Sequence, residues 1–174
     1  MRKINNAVIY EMKTHKEIRE ILEHPEFLSM KNFRHHGDVS CLEHTMTVAR
    51  IAYTTAKKMK ADHITATRAA LLHDFYLYDW HTDSPGLHGF KHPKLSLKNA
   101  ERYFSLNPIE REAIMRHMWP LTPVPPRHRE SLIVTYADKR AAIGDYIKVF
   151  RRLLKLNFGK NSLKQVPIIH SPRQ

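Results

Sequence analysis

The sequence contains little cysteine, which can cross-link a chain, and little glycine, which loosens helices and strands. Its 174 residues include one cysteine, Cys41, and five glycines. A single thiol excludes an intramolecular disulfide and fits a reducing compartment. No apolar run approaches the length that crosses a bilayer, and the first residues lack the apolar core of a secretion signal. We therefore expect a cytoplasmic protein with no membrane among its partners.

The chain is long enough for one folded core and carries a strong positive charge. Hydrophobic residues make up 42% of the sequence and charged residues 26%, which is typical of globular proteins and excludes general disorder. Lysine and arginine outnumber aspartate and glutamate by 29 to 17, a formal net charge of +12. Such a charge attracts the phosphates of a nucleotide, a polynucleotide or an acidic membrane surface, or it mainly maintains solubility.

Hydrophobic periodicity predicts an all-α fold. A capping box of Thr14 with Glu17 predicts one short N-terminal helix that ends before His24–Pro25. A second capping box, Ser40 with Glu43, predicts a long helix with an apolar stripe. The next helix is expected to start at an aspartate N-cap and to end at a His-Asp doublet.

Proline marks the later elements. His92–Pro93 and Asn107–Pro108 each predict a helix start, because proline suits the first turn. Four prolines between residues 119 and 126 exclude a helix interior and predict an extended rim or lid. A helix is expected from about Arg129, and a separate basic helix from roughly Asp145 to Leu156. We divide the chain into an N-terminal helix at 1–32, a main domain at 33–156 and a basic tail at 157–174.

A set of histidine and aspartate residues stands on or beside separate predicted helices. Imidazole nitrogen and carboxylate oxygen both bind divalent metals, and all-α metal sites take one or two inward ligands from each facing helix. An aspartate among apolar neighbours, as at position 138, is costly to bury unless something satisfies it. The candidate metal ligands are His44, His73, Asp74, His92, His117 and Asp138. The competing interpretation is that these side chains cap helices, pack, or pair with neighbours such as Lys139.

The order of these residues resembles the HD-domain superfamily of metal-dependent phosphohydrolases, whose pattern is H…HD…D, with two further histidines in a two-metal subset. The residues that carry the resemblance are His44, the doublet His73–Asp74 and Asp138, and His92 with His117 match the extra pair. The match covers roughly positions 33 to 145. It implies a helical domain with one or two divalent metals that hydrolyses phosphate esters, often of nucleotides.

The resemblance also implies roles for these residues. His44, His73, Asp74 and Asp138 would hold one metal ion, and His92 with His117 a second, with Asp74 bridging and catalytic. The implied metal ion is divalent, and the candidates are Mn, Fe, Ni, Zn and Mg. Apart from the resemblance, three residues that flank ligand positions and carry hydrogen-bond donors are candidates for phosphate contacts: Arg34, His36 and Lys139. A solvated turn and a surface charge are the competing explanations for them.

Two departures from the family narrow the reaction. Phe75 to Asp79 replace the Ile-Gly-Lys that follows the doublet in relatives that cleave cyclic dinucleotides, and no Gly-Tyr-Pro signature follows. No glutamate follows the doublet as it does in relatives that dephosphorylate deoxynucleoside monophosphates, although Asp79 is placed to take that role. The expected substrate is therefore a nucleotide or another small phosphoester, with mono- and diester both open. The alternative function is a basic nucleic-acid or signal-binding module with a structural metal site.

Overall fold

A computed structural model describes residues 2–35, 39–78 and 87–161. The fold is all-α, as the sequence predicts, and the described residues contain no β-strand beyond one isolated bridge between Arg34 and Ser40. The helices are α1 (Arg2–Thr14), α2 (Lys16–Leu22), α3 (Pro25–Ser29), α4 (Cys41–Lys58), α5 (His63–Leu72), α6 (His88–Tyr103), α7 (Pro108–Arg116) and α8 (Arg129–Asn161), with a 3-10 turn at Met30–Asn32.

Helix α5 is the centre of the molecule. It packs against α4, α7 and α8, and its residues from Thr65 to Leu72 are all buried. Alanine and leucine form most of this buried surface, and its one charged side chain, Arg68, is paired with Glu110. The N-terminal helices cover one side of the core through Met12, Ile18 and Phe27. Among the described residues, no helix combines the length and the hydrophobicity needed to cross a membrane.

The local capping signals explain where three helices begin. Ser40 and Glu43 form the predicted capping box of α4, and Asp62 accepts hydrogen bonds from the first turn of α5. Asn107 and Glu110 form a capping box at the start of α7. The predicted starts of α4, α5 and α7 are therefore confirmed. Local sequence is enough to locate them, because a cap depends on residues only two or three positions apart.

Other helix predictions were wrong in part. The predicted short helix is present as α2, which ends before His24–Pro25, but α1 precedes it and α3 follows it. Thr14 does not cap α2: the N-cap residue is His15, and the Thr14 hydroxyl donates to the Glu11 carbonyl oxygen 2.7 Å away at the end of α1. Helix α6 begins at His88, one turn before the predicted start, and contains Pro93 in its interior.

The predicted break before Asp145 is also absent. Helix α8 runs without interruption from Arg129 to Asn161, through Gly144 and past the predicted boundary at 156. A glycine inside a helix costs only about 1 kcal/mol relative to alanine, which packing of the flanking turns can outweigh. The division into an N-terminal part, a main domain and a tail stays a prediction, and residues 162–174 of the tail lie outside the described residues.

Candidate metal centre

The helices bring all the predicted metal ligands into one buried centre. His44 comes from the first turn of α4, the doublet from the end of α5, and Asp138 from α8. His92 lies on α6 and His117 directly follows α7. Their exposed fractions run from 0% to 8%: His44, His73, Asp74, His92, His117 and Asp138. Five separate elements thus fix one polar cluster inside an otherwise apolar core.

One half of the centre is formed by His44, His73 and Asp138. Oδ1 of Asp138 lies 3.2 Å from Nε2 of His44 and 3.8 Å from Nε2 of His73. The three side chains offer ligand atoms that all lie within 4.8 Å of one another. Atoms this close can share one cation.

The other half of the centre surrounds Asp74. Oδ1 of Asp74 lies 3.2 Å from Nε2 of His92 and 3.6 Å from Nε2 of His117. Oδ2 of the same carboxylate lies 3.3 Å from Nε2 of His73. The two oxygens of Asp74 therefore face different histidines, so this carboxylate spans the two halves of the centre.

Backbone carbonyls orient three of the histidine rings. Nδ1 of His73 lies 2.8 Å from the carbonyl oxygen of Ala70, and Nδ1 of His117 lies 2.8 Å from that of Ile114. Nδ1 of His92 lies 3.0 Å from the carbonyl oxygen of His88. A carbonyl only accepts, so each Nδ1 carries the proton and donates it. When the ring is neutral, Nε2 then holds the lone pair that a metal-binding imidazole requires, and metal binding would displace any second proton from it.

The buried polar atoms of the centre fit a bound cation. Nε2 of His73 and Oδ1 of Asp74 are buried and have no hydrogen-bonding partner of suitable geometry within the described part of the chain. Nε2 of His92 lies 2.8 Å from Nε2 of His117, where two lone pairs would repel unless a proton or a metal ion lies against them. Buried polar atoms without partners are costly, and coordination to a divalent ion would satisfy all of these atoms together.

The pKa values of two histidines in the centre are shifted in opposite directions. Burial lowers the pKa of His73, but the Asp74 and Asp138 carboxylates outweigh it and raise this pKa to about 10. Burial, together with His92 and His73, lowers the pKa of His117 to about 3. Against their own burial, the neighbouring histidines hold the pKa values of Asp74 and Asp138 well below the usual range. The carboxylates are therefore ionised, and a metal ion would replace the protons that now balance them.

Two residues of the centre were not predicted from the sequence. His35 is buried with Nδ1 3.6 Å from Oδ2 of Asp74, and its ring centroid lies 3.8 Å from that of His44. Asp145 is buried with Oδ2 3.2 Å from Nδ1 of His44. The signal for Asp145 was its position seven residues after Asp138, on the same face of one helix. No local pattern marks His35, because it precedes the α4 capping box in an irregular segment.

Of the residues predicted to contact phosphate, one lies at the edge of the centre and one lies away from it. Nζ of Lys139 lies 3.4 Å from Oδ2 of Asp138 and 3.1 Å from the carbonyl oxygen of His117, at the edge of the centre. Arg34 is exposed and does not line the cleft that leads to the centre. His36 lies outside the described residues, as does Asp79.

A cleft of about 560 Å³ opens onto the centre. Its floor contains His35, Asp74, His92, His117 and Asp138, and Lys139 is its only lysine or arginine among the described residues. Its wall is largely apolar, formed by Leu87, Phe90, Met118, Leu121 and Tyr146. Met118 and Leu121 come from the turn after α7, at the start of the proline-containing segment, so this segment contributes to the rim of the cleft.

Comparison with known proteins identifies one family. The family model for the HD domain matches residues 41–143, more than half of the chain. The matched range contains every residue proposed above as a metal ligand. Comparisons with curated proteins and with solved structures find no match.

Proposed function

This chain belongs to the HD-domain family, and on that premise we propose that it is a metal-dependent phosphohydrolase of a nucleotide or another small phosphoester. The observation that carries the proposal is the position of Asp74. Its carboxylate is 3% exposed, remains ionised, and faces histidines of both halves of the centre. A carboxylate buried in this way serves a centre that holds cations.

The geometry of the ligands supports two metal positions within the centre, each with its own set of side chains. His44, His73 and Asp138 would hold one divalent ion, and His92 with His117 a second, with Asp74 shared between them. When bound, such ions supply a more acidic water and positive charge beside the phosphoryl oxygens. The identity of the ion stays open among Mn, Fe, Ni, Zn and Mg, because nitrogen and oxygen ligands suit several of them.

The protein's own side chains would position the phosphoester and water. Asp74 holds its two oxygens toward both halves of the centre, and the backbone carbonyls at Ala70, Ile114 and His88 keep the histidine rings from turning. Lys139 lies at the rim with its ammonium group beside Asp138, within reach of the cleft. This ammonium would stabilise an anionic substrate as it enters.

The shape of the cleft favours a small substrate over a polynucleotide. The centre lies at the bottom of a cleft of about 560 Å³, and the cleft wall is largely apolar, with Lys139 as the only lysine or arginine in its described lining. A polynucleotide requires a basic track along an open groove. The cleft instead suits one phosphate group attached to a compact organic group. We therefore rank the enzyme above the nucleic-acid or signal-binding module.

Hydrolysis of generic phosphoesters tests the proposal. The protein is stripped with a chelator, reloaded with each of the five metals in turn, and assayed with p-nitrophenyl phosphate and bis-p-nitrophenyl phosphate. We expect turnover with at least one metal, lost by more than about 100-fold in His73→Ala and Asp74→Asn. His63→Ala, on a histidine outside the centre, should retain activity. Absence of turnover with every metal and both esters, in protein that binds metal, would contradict the proposal.

A further inference from the structure

Helix α8 presents an apolar stripe that the described part of the chain does not cover. Six apolar side chains along it are between 39% and 61% exposed: Leu132, Tyr136, Ile143, Ile147, Phe150 and Leu154. Arg140 occupies the position between Tyr136 and Ile143. At 100° per residue these positions fall within an arc of about 80° and extend for about 33 Å along the helix. We name these seven residues the α8 stripe.

The spacing of the α8 stripe is that of a helix-pairing seam. From Tyr136 to Leu154 its residues follow alternating steps of four and three, which is the a and d pattern of a coiled coil. Tyr146, 58% exposed on the same helix, lies about 40° outside this arc and lines the cleft at the metal centre instead of continuing the seam. The four-three spacing favours a partner helix, and the vesicle comparison below separates such a partner from a lipid surface.

The charge beside the stripe disfavours a second copy as the partner. Arg140 and Arg151 are exposed along one edge of it. The acidic residues of α8 are engaged elsewhere, since Glu130 accepts the backbone N–H of Asp62 and Asp138 and Asp145 face His44. Within the described side chains of α8, no exposed carboxylate is present to offset these arginines. Pairing two copies would oppose like charges, whereas acidic flanks on a different helix would complement them.

A glycine on the same edge gives a second reason for a partner. Gly144 lies between Arg140 and Arg151, and a Cβ at this position would meet no atom within 4 Å. The domain's own packing therefore does not require glycine, which destabilises a helix interior by about 1 kcal/mol relative to alanine. A partner side chain packed against the bare backbone at this edge would make use of the glycine.

The first part of the stripe also lines a groove. Between the end of α4 and the start of α8 lies a depression of about 740 Å³ with an apolar base that includes Met59, Leu132 and Tyr136. Lys58 and Arg129 stand at its margin. A concave seat with basic margins suits an elongated segment with apolar and acidic side chains.

We propose that the α8 stripe binds an amphipathic helix of another protein, with an apolar seam and acidic flanks. The apolar seam would cover Ile143, Ile147 and Phe150, and its carboxylates would pair with Arg140 and Arg151. One of the acidic flanking side chains would pack against the bare helix backbone at Gly144. This binding is independent of the proposed hydrolysis, since none of these residues is a proposed metal ligand.

A designed peptide provides the probe. It has about four heptads with leucine at a and d and glutamate at e and g, and a matched peptide carries lysine at e and g. Fluorescence anisotropy with the full chain should show the acidic peptide binding at least about tenfold more tightly than the basic one, with affinity falling as salt rises. Sedimentation of the protein alone should show a monomer.

Variants then locate the binding surface. Ile147→Glu with Phe150→Glu should weaken binding of the acidic peptide more than about tenfold, whereas Leu95→Glu, at a 40% exposed leucine on α6, should not. Gly144→Ala separates binding from folding, because it should raise the melting temperature while weakening binding. Equal affinity for both peptides, binding unchanged in Gly144→Ala, a dimer of the protein alone, or preference for anionic vesicles over the acidic peptide would overturn the proposal.

Discussion

His44 is held between two carboxylates of α8: its Nε2 lies 3.2 Å from Oδ1 of Asp138, and its Nδ1 lies 3.2 Å from Oδ2 of Asp145. The two aspartates are seven residues apart and therefore share one face of the helix. Asp145 is 1% exposed, and the pair of carboxylates raises the pKa of His44 against the effect of its burial. In the metal-loaded protein, Asp145 would accept the Nδ1 proton of His44 and direct Nε2 toward the ion.

Removal of this support should weaken metal binding without removing a ligand. In Asp145→Asn the side chain keeps its size but loses its charge, so we expect the dissociation constant for the metal to rise about 10- to 100-fold. Isothermal titration calorimetry measures the change. Glu101→Gln, an exposed carboxylate on α6, is the control. An affinity equal to that of the wild type would mean that Asp145 does not orient His44.

The cleft should respond to a methyl group at Gly89. A Cβ there would lie 2.9 Å from Cδ2 of Leu121 and 3.5 Å from Cε of Met118. Leu121 is 50% exposed and can move, so Gly89→Ala should leave the melting temperature unchanged or slightly raised. We expect KM for an aryl phosphate to rise about threefold with little change in kcat. Unchanged KM and kcat would show that the substrate does not contact the cleft wall at Gly89.

The buried ion pair of Arg68 with Glu110 should dominate the stability of the N-terminal side. Nε of Arg68 lies 2.6 Å from Oε1 of Glu110, and the guanidinium also donates to the carbonyls of Glu17 and Ser105 at 2.8 Å. Arg68→Ala leaves a buried carboxylate unpaired and should cost about 3–5 kcal/mol in urea unfolding. Arg111→Ala breaks an exposed pair and should cost less than about 1 kcal/mol. Similar losses in both variants would contradict this assignment.

Glu112 should make stability depend on pH in the acid range. Burial opposes the shift, but the backbone N–H groups of Arg127 and His128, and the His128 ring, lower the pKa of Glu112 from 4.5 to about 2. Because the folded pKa lies below the ordinary value, this stabilisation is present above about pH 4.5 and is lost as the pH falls toward 2. The full shift corresponds to about 3 kcal/mol, which solvent screening at the half-exposed His128 ring reduces to about 2 kcal/mol.

Thermal unfolding between pH 2 and 7 measures this effect. Glu112→Gln should be less stable at pH 7 and should lose part of the decline below pH 4.5, while Glu101→Gln should follow the wild type. Parallel curves for Glu112→Gln and the wild type would show that the carboxylate is not bound at the start of α8.

Sequence alone predicted the parts of the centre that depend on order and local periodicity. The capping box of Ser40 with Glu43 placed His44 in the first turn of α4, and the apolar run of α5 ended at the doublet. Asp145 was missed because a separate helix was predicted to begin there, which hid the face that it shares with Asp138 on one continuous helix. His35 was missed because contact with Asp74 joins distant positions in the chain. The one-turn error at α6 arose from assigning Pro93 to a first turn.

The number of metal ions per chain tests the central claim most directly. After incubation with Mn, Fe, Ni, Zn or Mg and removal of free ions, elemental analysis of the wild type should give two ions per chain for at least one metal. Replacement of His92 and His117 together by alanine should leave one ion, and Asp74→Ala should leave fewer than the wild type. Wild-type protein that retains none of the five metals would contradict the account, as would a count that these replacements do not change.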